Sequence, residues 1–236
     1  MQLALVILSA LAPVIVLLCY IFHKDSAHPE PAKWLIKAFF YGIASAFLAM
    51  LFGLVITFAT GLELDVSQHT SILGAFIDAF SLAAIPEEVA KFIMLWLLLR
   101  KNPFFDEHFD GIVYAVSVGM GFAGFENVLY LLESMESGSW IGTGIMRALF
   151  SVPGHFLFAV FMGYYYSLYH FKIDRSFSGM LLVLLAPILA HGLFDGILFC
   201  SDINGLFSLI CMILFLVLFN KLRKLGRDRI FRLLNK

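Results

Sequence analysis

Between residues 3 and 220 the chain is an almost unbroken series of apolar runs, each about as long as a bilayer is thick. Seven can be read: 3–22, 34–60, 70–99, 109–132, 140–169, 177–200 and 203–220. A membrane helix needs roughly 20 predominantly apolar residues, whereas transmembrane β-strands are alternating segments of about ten. The runs are too long and too continuous for strands. Hydrophobic residues make up 61% of the chain and charged residues 14%, with a mean hydropathy of +0.91. A soluble domain carries about 25% charged residues, so a water-soluble globule is excluded. A net charge of −1 excludes a globally basic nucleic-acid binder. Cys19, Cys200 and Cys211 lie far apart inside apolar runs, which argues against a disulfide framework or a CxxC metal knuckle.

The expectation is therefore an all-α, polytopic membrane bundle of about seven to eight transmembrane helices. The first run has no positive segment before it and no small-residue cleavage site after it, and reads as a retained helix. Pro86 and Pro153 lie inside the two longest runs. A proline removes a helical hydrogen bond, so each run is expected to divide near it into a short outer segment and a full helix.

Charge orders the loops. Lys24, Lys33 and Lys37 flank the first, Arg100 and Lys101 follow the third run, and Lys172 and Arg175 follow the fifth. The end of the chain adds Lys221, Arg223, Lys224, Arg227, Arg229, Arg232 and Lys236. The alternate loops carry Glu63, Asp65, Glu133, Glu136 and Asp202 and no Lys or Arg. The positive-inside rule then places the amino terminus outside and the carboxyl terminus in the cytoplasm. Residues 1–220 read as a single transmembrane domain and 221–236 as a basic cytoplasmic tail. Orientation alone accounts for a basic, solvated end; Ile230, Phe231, Leu233 and Leu234 would also suit an arm lying on anionic lipid.

With the loops removed, few ionisable residues remain at membrane depth: Asp78, Glu87, Glu88, Lys91, Glu126, Arg147, His155, His191 and Asp195. A charged side chain there costs at least about 2.5–3.5 kcal/mol at a helix centre, so these residues are candidates for function. Pro86-Glu87-Glu88 suits the first turn of a helix, with carboxylates facing the positive end of its dipole. Lys91 is four residues from Glu87 and three from Glu88, so it balances one acid and leaves the other for general acid/base work. Gly111, Ala115, Gly119 and Ala123 form a small-residue face that allows close packing and carries Glu126 inward. His191 and Asp195 share a helical face, where the carboxylate can orient the imidazole. His155 follows Pro153-Gly154.

Depth ties these groups together. At a rise of about 1.5 Å per residue from the basic edge, Glu87 lies about 20 Å in, His155 about 22 Å, Glu126 and His191 about 24 Å and Asp195 about 30 Å. Asp78 lies further out, where it could cap a helix or meet Arg147, and both are left outside the core site. His23, His28, His69, His108 and His170 fall in loops or at the interface and read as solvated.

Carboxylates and imidazoles gathered at one level, without a cofactor motif, fit water activation for hydrolysis. The chain has no HExxH, GxGD or GxSG sequence at membrane depth. The set Glu87-Glu88-x-x-Lys91, Phe122-x-x-x-Glu126, His155 and His191-x-x-x-Asp195 resembles the PrsW family, within the larger clan of CAAX-prenyl and bacteriocin-processing membrane proteases. The prenyl-protease branch carries EExxxR, FxxxH and HxxxN, so Lys91, Glu126 and Asp195 point away from prenylated substrates. The resemblance implies a glutamic-type intramembrane endopeptidase of the bacterial cell membrane. It also implies a first, extracytoplasmic-side cut in a single-pass membrane protein, an anti-sigma factor, during a stress response. By the same carry-over Glu87 is the general base, Glu88 assists with Lys91, Glu126 and His155 position water or shuttle its proton, and His191 and Asp195 hold the oxyanion. No cofactor is implied and no nucleic-acid partner is expected. Zinc held by the same residues is the alternative, and a proton- or ion-coupled transporter or a non-catalytic scaffold are readings of other classes.

Overall fold

The structure, a computed structural model, describes residues 2–62, 69, 71–201, 203 and 205–234. Glu63, Asp65, Asp202 and Lys236 of the loop and tail charges, and Thr70 at the start of the third run, lie outside the described residues. The described residues form helices α1 (Gln2–Lys24), α2 (Ala32–Thr60), α3 (Ile72–Asp78), α4 (Ile85–Leu99), α5 (Asp110–Glu136), α6 (Trp140–Met146), α7 (Val152–His170), α8 (Phe177–Cys200) and α9 (Gly205–Leu234), and no strand. Among the described residues five helical segments are long and apolar enough to cross a membrane: Gln2–Lys24, Ala32–Thr60, Asp110–Glu136, Trp140–His170 and Phe177–Cys200. The chain is a polytopic helical membrane protein. The rod from Ile72 to Leu99 has the length but carries Asp78, Glu87, Glu88 and Lys91.

Each long run divides near its proline into a short outer helix and a longer one, but the chain stays helical through the junction. A π-helical turn, Ala79–Ala84, joins α3 to α4, and another, Arg147–Ser151, joins α6 to α7. Pro86 and Pro153 each follow directly, in the first turn of the next α-helix. The wider turn shifts the hydrogen-bond register where a missing N–H would interrupt it, so the rod continues past the proline.

Helix α5 is the centre. Its span is 78% buried, against 22% for α1 and for α2. It packs on α1, α2 and α7. The small-residue face meets α7: Gly111 lies against Gly163 and Ser167, and Gly119 against Ala159. A second close approach, Gly121 on Gly42 and Phe39, seats α2 on the opposite side. Backbone proximity on two faces lets a helix with little polarity along its length be held firmly without a hydrophobic driving force. α8 packs on α7, α3 and the first π turn, and α9 closes over α7 and α8.

The basic loops gather at one end of the bundle. His28 of the α1–α2 connection meets Glu107 of the α4–α5 connection at 3.0 Å, and Phe105 there packs on His170 and Phe171 at the end of α7. The basic segment does not lie free: α9 runs on to Leu234, burying Leu222, Ile230 and Leu233 in the main core, while Arg229 stacks over Tyr164. Of the apolar side chains expected to meet solvent or lipid there, Ile230 and Leu233 instead meet protein, Leu234 packs against them partly buried, and Phe231 stays exposed.

Candidate active site

Four rods contribute the ionisable groups, and each is positioned by local sequence. The π turn and Pro86 set the start of α4, so Glu87 and Glu88 occupy its first turn. α5 brings Glu126 and Asn127, the second π turn brings Arg147, α7 brings His155 and α8 brings His191 and Asp195. Two glycines seat α8 against the first rod. Gly192 receives the ring of Phe80 and Gly196 the ring of Phe76, in space that a Cβ would fill.

The groups form one connected network. Lys91 Nζ donates to Glu88 Oε1 at 2.8 Å, to Glu87 Oε2 at 3.1 Å and to His155 Nδ1 at 3.2 Å. An ammonium only donates, so His155 accepts at Nδ1 and its Nε2 carries the hydrogen given to Glu126 Oε2 at 3.0 Å. Arg147 Nη2 donates to the same oxygen at 2.5 Å, while Arg147 Nε donates to Asn127 Oδ1 at 2.6 Å. His191 sits between two acids, with Nδ1 2.9 Å from Glu88 Oε1 and Nε2 3.0 Å from Asp195 Oδ2. Phe158 stacks on the His191 ring at 4.6 Å, and Phe122 faces Lys91 Nζ at 3.9 Å from its centroid.

Burial divides the network. Glu87, Glu126, His155, His191 and Asp195 line a cavity of ≈ 460 Å³, with Arg147 and Tyr130 at its wall. Glu88 and Lys91 do not reach it; Glu88 is 0% exposed and Lys91 3%. Among these side chains four carboxylates face two permanent cations, an excess of two acids that protons or a divalent cation would balance.

All seven residues singled out in the sequence, Glu87, Glu88, Lys91, Glu126, His155, His191 and Asp195, meet in this network. Arg147 corrects the reading that left it outside: it contacts both Glu126 and Asn127. Asn127 was missed altogether. Its Nδ2 donates to Ala10 O at 2.6 Å, which ties the site to α1; only its adjacency to Glu126 could have marked it. Asp78 stays apart, paired with His69 Nε2 at 2.9 Å. His69 is not solvated: it is buried and stacks on Phe199.

The family described as PrsW family intramembrane metalloprotease matches residues 30–220. The chain belongs to this family. Protease PrsW of Bacillus subtilis is 32% identical over 225 residues, covering 95% of each chain. Protease PrsW of Geobacillus kaustophilus is 32% identical over 194 residues, covering 82% of this chain and 80% of the relative. Protease PrsW of Oceanobacillus iheyensis is 35% identical over 193 residues, covering 81% and 82%. No solved structure matches. Membership of the PrsW family makes the chain a membrane peptidase.

The family description names a metal, and the donor set admits one. Glu87, Glu126 and His155 each offer a ligand atom, all within 4.8 Å of one another, and all three line the cavity. Three oxygen and nitrogen ligands with a fourth position open to water are what a catalytic zinc requires. A second trio, Glu87, Glu88 and His191, is as compact, but Glu88 lies behind the cavity wall.

Proposed function

We propose that the protein is an intramembrane endopeptidase in which Glu87 activates the water that attacks the scissile carbonyl. The observation that carries this reading is the position of Glu87. It has one carboxylate oxygen held by Lys91 at 3.1 Å and lines the same cavity as Glu126 within reach of it, so a water between them would give one hydrogen to Glu87 and the other to Glu126, which His155 and Arg147 hold in place. The water oxygen adds to the carbonyl carbon while its proton passes to Glu87. The C–N bond then breaks as that proton passes to the leaving amine. Asp195, which His191 orients at 3.0 Å, would hold the oxyanion as charge develops, a role that requires its carboxyl to carry a proton at that step. Glu126 and His155 orient the water, and Arg147 fixes Glu126. Glu88 serves by holding Lys91 and His191 in place.

The substrate in this reading is a single-pass protein of the bacterial cell membrane, an anti-sigma factor cut first on the extracytoplasmic side during regulated intramembrane proteolysis. Support comes from helical rise, which puts Glu126 and His191 past the midpoints of their helices as counted from the basic loops, on the side the positive-inside rule assigns to the outer leaflet.

The compact Glu87, Glu126 and His155 trio favours a second reading, in which those three residues hold zinc. Zinc there would supply a Lewis acid and an acidified water. Glu87 would then act as ligand rather than free base.

The experiment compares new protein termini by mass spectrometry in native cells carrying the wild type or expression-matched Glu87→Gln. Fragments cut within or beside one single-pass segment, absent only in the variant, are expected. An unchanged fragment set would end the protease reading. Chelator sensitivity reversed by zinc, with the purified enzyme and the substrate so identified, separates the two mechanisms.

A further inference from the structure

Away from the site, toward the basic end, α4 and α8 part. They touch where His191 meets Glu88 at 2.9 Å. Below that contact a groove of ≈ 910 Å³ opens between them, with α7 contributing to its wall. Its walls are apolar and aromatic: Phe92 and Trp96 from α4, Leu184 and Ile188 from α8, Tyr166 from α7. Its rim is basic, with His170, Lys172 and Arg175, and no acid is among the described residues that line it. Arg100 stacks over Trp96 at 4.8 Å and adds positive charge beside the mouth. Asp174 lies between Lys172 and Arg175 in sequence but outside the groove lining; it accepts from Ser176 Oγ and N–H at 2.5 and 3.0 Å and keeps its negative charge.

Backbone geometry singles out Lys172. The chain leaves α7 through a left-handed cap, in which Ile173 N–H reaches back to Leu168 O at 2.9 Å. The left-handed position, where glycine is the usual occupant, is filled by Lys172 at φ 66, the one non-glycine residue with positive φ among the described residues. A long basic side chain is thus kept at the mouth of the groove in a conformation that a smaller residue would adopt more easily.

We propose that this groove binds an anionic phospholipid, its phosphate between Lys172 and Arg175 and an acyl chain along Leu184 and Ile188. The two halves of the groove decide the ligand together. A free anion has no use for the apolar wall, and a neutral acyl chain has none for the rim. The size suits a headgroup with one chain, since enclosed ligand sites run from about 300 to 1,000 Å³. Aromatic residues at such a level are ordinary interfacial anchors, and basic residues there attract anionic headgroups. Ile188 is less than one turn from His191, so the lipid's chain would end beside the contact that joins α4 to α8.

The test titrates phosphatidylglycerol and phosphatidylcholine of matched chains into the delipidated full-length protein in detergent, with bound lipid read by native mass spectrometry. Phosphatidylglycerol is expected to bind the more tightly. Lys172→Gln with Arg175→Gln should weaken it by about fivefold for each cation removed. Arg223→Gln with Lys224→Gln removes equal charge from an exposed stretch of α9 and should leave binding unchanged. Leu184→Trp fills the groove without touching the rim and should weaken both lipids, which keeps the test open if the rim variant folds poorly. Equal binding of the two lipids would overturn the proposal, as would equal loss in the α9 variant or unchanged binding in Leu184→Trp. A thermal shift with inorganic phosphate matching that of phosphatidylglycerol would make the rim an anion site only. Cross-links through the groove to a second copy would assign it to self-association.

Discussion

Glu88 and His191, 103 positions apart in the chain, meet at 2.9 Å through an oxygen that also accepts from Lys91 at 2.8 Å. One buried carboxylate oxygen thus fixes a cation that reaches Glu87 and a ring that reaches the cavity. The other oxygen of Glu88 is buried without a hydrogen-bond partner among the described residues. Adjacent acids in the first turn of α4 therefore face different surroundings, Glu87 the cavity and Glu88 the protein interior.

That division predicts opposite consequences for two isosteric changes. Glu88→Gln leaves Lys91 buried with one fewer anion, and breaking a buried pair from one side costs about 3–5 kcal/mol. Glu87→Gln should abolish cleavage while costing much less stability, because its side chain borders the cavity. Thermal unfolding in detergent and a cleavage assay on the same preparations check both. A Glu88→Gln protein as stable as wild type would show that the pair holds nothing in place.

The seating of α8 predicts a steric phenotype. A methyl group at Gly192 would overlap the ring of Phe80. Overpacking of this kind costs about 1–3 kcal/mol. Gly192→Ala should lower the unfolding midpoint and reduce cleavage, because the π turn that carries Phe80 leads directly into Glu87. Adding Phe80→Leu should recover part of both. Additive losses in the double variant would mean that the two positions do not share this contact.

The pattern of apolar runs made the helices readable, because bilayer thickness fixes how long a span must be. Ionisable groups in those runs made the site readable for a related reason: their cost in an apolar medium leaves few of them. The common depth of Glu87, Glu126, His155 and His191 followed from helical rise alone. What sequence did not reveal depends on side-chain direction around a helix. Arg147 reads from sequence as a partner for Asp78 outside the site; the π turn that contains it alters its facing, and its partners are Glu126 and Asn127. Asn127 looked like an ordinary polar residue beside Glu126. Gly192 and Gly196 carried no sign that two phenylalanines over a hundred residues earlier would fill their space. Ile230 and Leu233 read as a tail because charge surrounds them, and their burial rests on the length of α9 rather than on local pattern.

Arg147 offers a test of orientation in the cavity. Its guanidinium holds Glu126 with one nitrogen and Asn127 with another, a planar fork that an ammonium does not reproduce. Hydrogen bonds to charged groups contribute about 1.5–3 kcal/mol, so Arg147→Gln should lower kcat/KM by about tenfold to a hundredfold. Arg147→Lys should recover little of it, although it restores the charge. If the lysine variant regained full activity, Arg147 would act as a point charge and not as a clamp.

The connection between α1 and α2 should make stability depend on pH outside the membrane. Burial raises the Asp25 carboxyl from its ordinary value to about 7 and that of Glu30 to about 8, the latter against the opposing hydrogen bond from the Tyr114 hydroxyl. Asp25 Oδ2 accepts from Glu30 N–H at 3.3 Å, and Asp110, Glu107 and His28 are the charged or titratable neighbours. Both acids are held protonated in the fold at pH values where the unfolded chain ionises them. Their contribution is therefore complete below about pH 4 and is lost as pH rises through about 7 to 8. The thermal midpoint in detergent should fall as pH is raised across this window, and Asp25→Asn with Glu30→Gln should flatten the dependence. A wild-type midpoint that rises over the same range would mean that these carboxyls are ionised in the folded protein.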